Sequence, residues 1–299
     1  MKILPRNIII LYTLECNARC RHCCFSCSPD QKEKLNVNTV KNIIDDIIKY
    51  PSITNISFSG GEIFLYPDEI LELLFYARSK GLNIQCTTNG FWGENIVIAE
   101  RIMKRLQSVN LSTLTISFDE FHKEFISVES IDTLIQLAAK YRIHVEIKGV
   151  AVNGSKSVYE LLNDLPHRLL DVNVKEIICL PVGRAFSLVS KNQYLVNPTE
   201  YFTCPSIGRD VTIYPQGYVV PCCSPVPNPK TFNIGNINNN SLSEIINSYN
   251  DMRIKKIYKY GLINEITDEN RQKSICEICS DYLERGDINE SKLQLHVDL

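Results

Sequence analysis

The sequence has no excess of charge of either sign. It contains 32 Lys and Arg residues against 34 Asp and Glu residues, which gives a formal net charge of −2 over 299 residues. Proteins that bind nucleic acid or another polyanion usually carry a basic excess, so this balance does not indicate such a partner. At this length, and with 44% hydrophobic residues, the chain can bury a large core. The composition is that of a single enzyme.

Long apolar runs are also missing. The first apolar run, residues 8–12, is too short to span a membrane, and the N-terminal stretch lacks a small-residue signal cleavage site. The sequence therefore predicts a cytoplasmic protein with no membrane partner. Cysteine is abundant, with 12 residues. Because disulfides are rare in cytosolic proteins, clustered cysteines in a chain of this size favour metal binding.

Three cysteines form a C-x3-C-x2-C group just after the first apolar run. They are Cys16, Cys20 and Cys23. Three thiolates can bind three irons of a 4Fe–4S cluster and leave the fourth iron open to a small molecule. An open iron implies chemistry as well as electron transfer.

Strand-like and helix-like segments alternate over the first part of the chain. Six short segments rich in β-branched residues predict strands, at residues 8–13, 53–58, 82–87, 114–118, 144–152 and 174–180. Apolar residues at helical spacing predict amphipathic helices between them, as in Val40, Ile43, Ile44, Ile47 and Ile48. Repeated β-α units with right-handed crossovers give a parallel sheet curled into a partial barrel, with ligands at the carboxyl ends of the strands.

The cysteine triad after a first strand resembles the radical S-adenosyl-L-methionine (radical SAM) superfamily. Further motifs similar to that family follow in its order: Gly60-Gly61-Glu62, Thr87-Thr88-Asn89-Gly90 and Ser117-Phe118-Asp119. The resemblance covers most of residues 1–185 and implies an α/β fold, a partial (β/α)6 radical SAM barrel. It also implies that Cys16, Cys20 and Cys23 bind the cluster and that the open iron chelates the amino and carboxylate groups of SAM.

The same resemblance implies a set of SAM-binding residues, namely Gly60, Gly61, Glu62, Asn89, Ser117, Asp119 and His22. Backbone carbonyls at the glycines would approach the SAM ammonium group, and the backbone of His22 would lie against the adenine. The residues alone leave other roles open: a tight glycine turn, caps of the following helix, and a packed loop histidine. Residues 181–184 resemble a segment that contacts adenine in relatives, although a Pro-Gly turn needs no ligand.

A second cysteine group lies in residues 186–299, which we predict to be a separate small domain. It resembles the SPASM extension of peptide-modifying radical SAM enzymes, and its cysteines are Cys204, Cys222, Cys276 and Cys279. Four thiolates suit one fully ligated auxiliary 4Fe–4S cluster. No cysteine follows Cys279, so the resemblance implies one auxiliary cluster. A structural zinc site with four cysteine ligands fits the same spacing and stays open.

The adjacent pair Cys222-Cys223 suggests a particular reaction. Neighbouring side chains of an extended segment point in opposite directions. If Cys222 binds the auxiliary cluster, the Cys223 thiol therefore faces elsewhere and can donate a hydrogen atom. A peptide radical made by removing a Cα hydrogen would then be quenched from the opposite face to give a D-residue. Alternatively, Cys223 is a small buried residue, or it is the ligand in place of Cys222.

A short SPASM-type chain with such a cysteine pair is similar to the Bacillus-type radical SAM peptide epimerases. This resemblance implies a ribosomally made precursor peptide as substrate, the 5′-deoxyadenosyl radical as the species that removes the Cα hydrogen, and a flavodoxin- or ferredoxin-type one-electron reductant. It places the hydrogen donor at Cys223 and a substrate-facing polar residue at Asp210, which could otherwise be an ordinary turn carboxylate. Some fifteen residues precede Cys16, too few for the small leader-recognition domain that many peptide-modifying relatives carry. We therefore expect the peptide to dock at the barrel mouth and the C-terminal region.

Two other functions remain open from the sequence. A radical SAM peptide cyclase would form thioether or C–C cross-links after the same first step and would need no donor thiol. A non-catalytic zinc or iron–sulfur module would explain the cysteines but not the ordered SAM motifs. We assign no role to the remaining cysteines and expect the last two to be buried as small hydrophobic residues: Cys24, Cys27, Cys86 and Cys179.

Overall fold

The computed structural model describes most of the chain. The described residues are 4–163, 165, 172–190, 204, 206–223, 232–248, 252–262, 265–267, 269–270 and 273–285. Parts of the predicted C-terminal domain, including residues 286–299, therefore lie outside the described residues. The division of the chain at residues 185 and 186 stays a prediction.

The described residues form one sheet of nine strands. The strands are β1 (Asn7–Thr13), β2 (Asn55–Gly60), β3 (Asn83–Thr88), β4 (Thr113–Ser117), β5 (Val145–Ala151), β6 (Val172–Ile178), β7 (Asp210–Ile213), β8 (Tyr218–Val220) and β9 (Gly235–Asn236). Their order across the sheet is β6-β5-β4-β3-β2-β1-β7-β8-β9. All six predicted strands are confirmed, with ends within two residues of those expected.

The helices between the first strands pack on one face of the sheet, and two helices near the end of the described chain pack on the other face, in the same cluster as Leu11. The helices are α1 (Val37–Ile47), α2 (Pro67–Ser79), α3 (Ile96–Ser108), α4 (Glu120–Lys123), α5 (Val128–Tyr141), α6 (Val158–Leu161), α7 (Ala185–Leu188), α8 (Leu242–Ser248), α9 (Met252–Tyr260) and α10 (Ile275–Glu284). Helices α2, α3, α4 and α6 start within eight residues of the end of a strand, as the β-α pattern predicts, whereas α1 follows β1 only after the cysteine loop and α5 follows α4. The α/β fold with a mostly parallel sheet is confirmed.

The sheet continues beyond the six strands of the predicted barrel. Strand β7, from the C-terminal part of the chain, pairs in parallel with β1 and aligns Asn7 with Asp210 and Ile10 with Ile213. Because β2 occupies the other edge of β1, both edges of β1 are paired. Val211 and Ile213 of β7 are buried in the same apolar core as β1, and that shared burial accounts for the pairing. The two cysteine-rich parts of the chain are therefore joined through β1.

The two faces of the sheet differ in polarity. Alternate residues such as Ile8, Ile10 and Phe58 are fully buried against the helices. The opposite face, which we call the inner face, carries half-exposed Asn, Ser and Thr side chains on β2, β3 and β4. In parallel β/α barrels the ligand binds at the carboxyl ends of the strands, which here is the end at which β1 stops at Thr13.

Helix α1 departs from the pattern in one place. Val40, Ile43, Ile44 and Ile47 are buried as predicted, but Ile48 is 41% exposed. Ile48 is the C-terminal cap rather than part of the helix, and its N–H bonds to the carbonyl of Ile44. The prediction that Ile48 belongs to the buried face was therefore wrong, because the helix ends before that turn is completed.

Replacing Ile44 by Ala should lower the free energy of unfolding by about 2–5 kcal/mol, since a fully buried side chain is lost and a cavity is left. The matched replacement of Ile48 should cost well under about 1 kcal/mol, because that side chain is already in solvent. Urea unfolding followed by circular dichroism would measure both. Equal losses in the two variants would contradict the assigned boundary of the core.

Candidate functional site

The loop after β1 brings the first cysteine triad together. Cys16 and Cys20 are buried and Cys23 is half-buried, and all three share an apolar cluster with Phe121 and Cys179. Backbone hydrogen bonds close the loop, because the N–H of Cys16 donates to the carbonyl of Ser28 at 3.2 Å and that of Cys23 to Cys20 at 3.1 Å. The three thiols are thus held in one place with little access to water.

The donor set of this loop suits an iron–sulfur cluster. Burial raises the pKa of Cys16 to about 12 and also raises that of Cys20. A hydrogen bond from Cys27 lowers the pKa of Cys23 to about 6, and the N–H of Ala18 donates to the Cys16 sulfur at 3.5 Å. Bound iron would supply the positive charge that keeps such buried thiols deprotonated. Three cysteines in an apolar site therefore fit the predicted 4Fe–4S cluster.

Arg184 follows β6, at one edge of the sheet, and forms three hydrogen bonds to the backbone of the cysteine loop. Its N–H donates to the carbonyl of Cys23 at 3.0 Å, its Nε to that of Cys20 at 3.1 Å and its Nη2 to that of Cys27 at 2.6 Å. The preceding Gly183 has φ +58°, and a Cβ there would lie 2.3 Å from the carbonyl oxygen of Cys24. Residues 181–184 therefore bind the loop backbone in this structure, whereas the resemblance associated them with adenine.

The glycine pair at the end of β2 lies directly against the same loop. The N–H of Gly61 donates to the carbonyl of Thr13 at 2.7 Å and that of Glu62 to Glu15 at 2.8 Å. A Cβ on Gly60 would lie 2.3 Å from the Thr13 oxygen, and one on Gly61 would lie 2.1 Å from the Glu15 oxygen. The glycines are therefore required by close backbone packing. Their predicted contact with SAM stays a prediction.

The carboxylate of Glu62 joins the ends of β2 and β3. It is fully buried and accepts hydrogen bonds from the N–H of Phe64 at 2.9 Å, the hydroxyl of Thr88 at 2.8 Å and the N–H of Asn89 at 2.7 Å. Burial raises the pKa of Glu62 to about 7. The amide of Asn89 then donates to Asn17 in the cysteine loop at 2.8 Å. Glu62 thus orders the site through Asn89.

Asp119 has a comparable role at the ends of β4 and β5. One oxygen accepts the N–H groups of Phe121 and His122, both at 3.0 Å, and lies 2.9 Å from His122 Nδ1. The other accepts the N–H of Val150 at 2.9 Å and lies 3.4 Å from His22 Nε2. Although burial acts to raise the pKa of Asp119, the His122 imidazole holds it well below its usual range.

Asp119 therefore acts as the cap of α4, which the sequence left open as an alternative. His22 is buried and stacks on Phe121, with ring centroids 4.7 Å apart. It is thus packed within the loop, which is the alternative to an adenine contact that the sequence left open. Ser117 is half-buried at the end of β4. The SAM contacts of all three residues remain predictions. The ligand atoms of His22, Asp119 and His122 lie within 4.8 Å of one another, but both Asp119 oxygens already accept backbone N–H groups.

The second group of cysteines gathers around helix α10. A capping box at Ser274 starts this helix and sets Cys276 and Cys279 three residues apart on one face. Cys222 and Cys279 are buried in one apolar cluster, against which Cys204 packs. Burial raises the pKa of Cys279, and the Cys276 and Cys204 thiols add to the rise. The structure thus brings the four predicted ligands into one region, where four thiols fit an auxiliary cluster.

The side chains of Cys222 and Cys223 lie in different environments, as expected for neighbouring side chains that point in opposite directions. Cys222 is buried, and Cys223 is exposed. The Cys223 sulfur lies 2.7 Å from the hydroxyl oxygen of Ser206. Nearby protein atoms still remove water from the thiol and, together with the carboxylate of Asp210, raise the pKa of Cys223 to about 12. Cys223 is therefore a protonated thiol at neutral pH.

The two predicted catalytic residues lie together, apart from the first cysteine triad. Asp210 begins β7 and is aligned with Asn7, the first residue of β1. The cysteine triad follows Thr13, the last residue of β1. Cys223 follows β8, which runs antiparallel to β7, and its sulfur lies 2.7 Å from the hydroxyl of Ser206, whose carbonyl accepts the N–H of Asp210 at 2.9 Å. Asp210 and Cys223 therefore lie at the amino ends of β1 and β7, and the triad lies at the carboxyl end of β1.

Several residues of the site were not assigned from sequence. His122 stands three residues after Asp119, the spacing of a helix turn, and Thr88 belongs to a motif already recognised, so both carried a usable signal. Arg184 belongs to a segment that was noted for another contact. Ser206 carries no pattern that distinguishes it from other serines.

Comparisons with known proteins agree with this arrangement. Residues 10–135 match the Radical SAM superfamily, and residues 204–281 match SPASM, an iron-sulfur cluster-binding domain. The chain is 29% identical over 225 residues to the putative peptide biosynthesis protein YydG of Bacillus subtilis (strain 168), which covers 74% of this chain and 70% of that protein.

A second relative is AlbA of the same organism, the antilisterial bacteriocin subtilosin biosynthesis protein. It is 24% identical over 281 residues, covering 82% of this chain and 60% of AlbA.

Among solved structures, native anSMEcpe with bound AdoMet has a TM-score of 0.63 at 15% identity, covering 92% of this chain and 89% of that chain. This likeness shows a shared fold. Within the described residues, no helix is long and apolar enough to cross a membrane.

Iron content should distinguish the two cysteine groups. Two 4Fe–4S clusters predict about eight irons per chain, and Cys16→Ala should leave about four. Cys86→Ala is the matched control, because that thiol is buried in the helix-packed core and should leave iron unchanged. Metal analysis after anaerobic reconstitution measures this. Zinc in place of the remaining iron would contradict the auxiliary cluster.

The buried Glu62 predicts a pH dependence of stability. Between the usual pKa of 4.5 and the folded value of about 7, the folded chain retains a proton that the unfolded chain has released. The free energy of unfolding should therefore fall by about 3 kcal/mol as pH rises through this window. Urea unfolding of the cluster-free chain from pH 5 to 8 would measure the fall.

Glu62→Gln should remove that pH dependence, while Glu72→Gln should retain it, because the Glu72 side chain is 52% exposed. The same slope in both variants would show that Glu62 does not titrate in this range.

Proposed function

Since the chain is a radical SAM protein with a SPASM domain, we propose that it modifies a ribosomally made precursor peptide and that the modification is epimerisation of L- to D-residues. The similarity of the chain to the putative peptide biosynthesis protein YydG and to the bacteriocin subtilosin biosynthesis protein AlbA supports a peptide substrate. The feature that carries the epimerase proposal is the position of the Cys223 thiol, at the end of the inner face opposite the SAM-cluster loop.

Inversion at Cα needs two reagents on opposite sides of one carbon. The hydrogen must leave from one face, and another must arrive on the other. The seven residues of β1 span about 20 Å at 3.3 Å per residue. A peptide bound over the inner face would therefore have the cysteine triad beyond one side and the Asp210–Cys223 pair beyond the other. Inversion requires the Cys223 thiol to lie within about 3–3.5 Å of the Cα radical, on the face away from the cluster, so the cluster, SAM and the peptide together would have to span the distance between the two ends.

Cys16, Cys20 and Cys23 would hold the cluster at which SAM binds, and one-electron reduction there would supply the radical that removes the Cα hydrogen. The thiol of Cys223 then donates its hydrogen atom to the resulting Cα radical, which breaks one S–H bond and forms one C–H bond. The sulfur left behind needs one electron and one proton to become a thiol again. A flavodoxin- or ferredoxin-type reductant would supply the electron, and solvent the proton.

The surroundings of Cys223 suit this role. Hydrogen-atom donation needs an S–H group rather than a thiolate, and the partial loss of water around the Cys223 sulfur, together with the Asp210 carboxylate, raises the pKa of Cys223 and so favours the protonated thiol. Ser206, 2.7 Å away, limits the directions in which that S–H can point. A cluster ligand, by contrast, must be a thiolate, and Cys222 is the member of the pair that lies with the other auxiliary cysteines. We place the reaction in the cytoplasm, where a one-electron reductant is available.

Cys223→Ser should stop formation of the D-residue while 5′-deoxyadenosine is still produced, because the hydroxyl is a poor hydrogen-atom donor. Cys86→Ala is the control and should retain both products. The assay is an anaerobic reaction with SAM, reductant and a candidate precursor peptide in D2O, followed by mass and chiral amino-acid analysis.

The native enzyme should add one deuterium for each D-residue formed, since the thiol exchanges with solvent. Epimerisation by Cys223→Ser at the native rate would reject the donor role. Loss of two hydrogens without inversion would instead identify a peptide cyclase that forms cross-links.

A further inference from the structure

Asn89 is the first residue after β3, and its side chain reaches the cysteine loop. Its Nδ2 lies 3.7 Å from the Cys16 sulfur and 2.8 Å from Asn17 Oδ1. An amide nitrogen carries two protons, so it can donate to both acceptors. The Cys16 sulfur also accepts the backbone N–H of Ala18 at 3.5 Å. Asn89 thus provides a side-chain donor directed at one of the three predicted cluster ligands.

The orientation of the Asn89 amide is fixed from its other end. Asn89 Oδ1 accepts the backbone N–H of Phe91 at 3.0 Å. Because a backbone N–H can only donate, the amide oxygen must face Phe91 and the amide nitrogen must face the cysteine loop. Asn89 is only 5% exposed, so water has little access to the bond between its nitrogen and the Cys16 sulfur.

The backbone around Asn89 is also held by hydrogen bonds. The Glu62 carboxylate accepts the N–H of Asn89 at 2.7 Å and the hydroxyl of Thr88 at 2.8 Å. The Thr88 oxygen in turn accepts the indole N–H of Trp92 at 3.0 Å. Since these bonds hold the chain on both sides of Asn89, the fold itself sets the distance from the amide to the cysteine sulfur.

A donor in this position acts on the electronic properties of a bound cluster. A cysteine that binds iron is a thiolate, and a charged acceptor forms a stronger hydrogen bond than a neutral thiol does. Hydrogen bonds to the sulfurs are one of the means by which a protein sets the reduction potential of an iron–sulfur cluster. Because reduction adds negative charge to the cluster, an N–H donor stabilises the reduced form more than the oxidised form.

We propose that Asn89 tunes the SAM-binding cluster: its amide donates to the Cys16 thiolate and raises the reduction potential, which makes the cluster easier for a one-electron donor to reduce. This inference depends on Cys16 as a cluster ligand. It does not depend on epimerisation, because the electron enters the cluster before any peptide is modified.

The first test is the reduction potential of this cluster in Asn89→Ser. A serine hydroxyl can still accept the N–H of Phe91, but its side chain is too short to reach the Cys16 sulfur. Redox titration of the reconstituted protein without SAM, followed by EPR spectroscopy, should give a more negative potential than in the native protein. The signal of this cluster is identified by its change when SAM is added.

Asn95→Ser is the matched control. The Asn95 side chain also accepts backbone N–H groups, those of Val97 and Ile98 at the start of α3, and the replacement should leave the potential at the native value. The same potential in Asn89→Ser and Asn95→Ser would overturn the proposal.

A measurement on the native side chain covers the case in which Asn89→Ser does not retain its cluster. Protein made with asparagine labelled by 15N in the side chain should show a 15N coupling in the pulsed EPR spectrum of the reduced SAM-binding cluster. The coupling should persist in Asn17→Ala, which leaves the Asn89 amide in place. Absence of the coupling would reject the hydrogen bond to Cys16.

The last test separates tuning from the SAM contact that the resemblance implies for Asn89. Formation of 5′-deoxyadenosine at saturating SAM is compared with two reductants, a flavodoxin and the stronger reductant titanium(III) citrate. The loss of rate in Asn89→Ser should be several-fold larger with flavodoxin, because the cluster has become harder to reduce. Equal losses with both reductants, together with a native potential and a raised requirement for SAM, would identify a SAM contact instead.

The proposed function can fail separately. If the native protein forms no D-residue, epimerisation is wrong, whereas the potential measured without SAM still decides whether Asn89 acts on the cluster.

Discussion

The parallel pairing of β7 with β1 fixes the position of Asp210 relative to the first cysteine triad, and the rest of the site depends on this interaction. Strand β1 carries the first cysteine triad in the loop after Thr13, and its first residue, Asn7, is bonded to Asp210 at the start of β7. A separate C-terminal domain tethered only by the chain would not fix Asp210 relative to the triad. Because both strands belong to one hydrogen-bonded sheet, the separation of the two ends is set by the length of β1.

The two ends differ in chemical character. At the carboxyl end, thiols lie among apolar side chains, and buried carboxylates such as Glu62 and Asp119 are fully engaged with backbone N–H groups. At the amino end, amide side chains and the Asp210 carboxylate form a connected polar row. The first environment suits a metal cluster that must exclude water. The second would suit the proposed donor role of the Cys223 thiol, which requires a protonated sulfur that exchanges its proton with solvent.

Much of the fold could be predicted from sequence, because the first six strands and their helices follow simple hydrophobic periods. The triad and the auxiliary cysteines were also accessible, since metal ligands have characteristic spacing. Three features were not. The β1–β7 pairing joins segments about 200 residues apart and has no local signal. Arg184 acts through its guanidinium on carbonyl groups, which any sequence provides. The hydrogen bonds that join Asn7, Asn55 and Asn83 depend on the register between strands, and no pattern within one strand reveals that register.

Arg184 also has a consequence for how the protein forms. Its three bonds reach the carbonyls of Cys20, Cys23 and Cys27 from more than 150 residues further along the chain. Contacts of such large sequence separation are slow to form, because a long loop must close first. During synthesis, the cysteine loop is made early, but its backbone gains these partners only after β6 has joined the sheet. Iron that binds the finished loop therefore binds a chain whose barrel has already assembled.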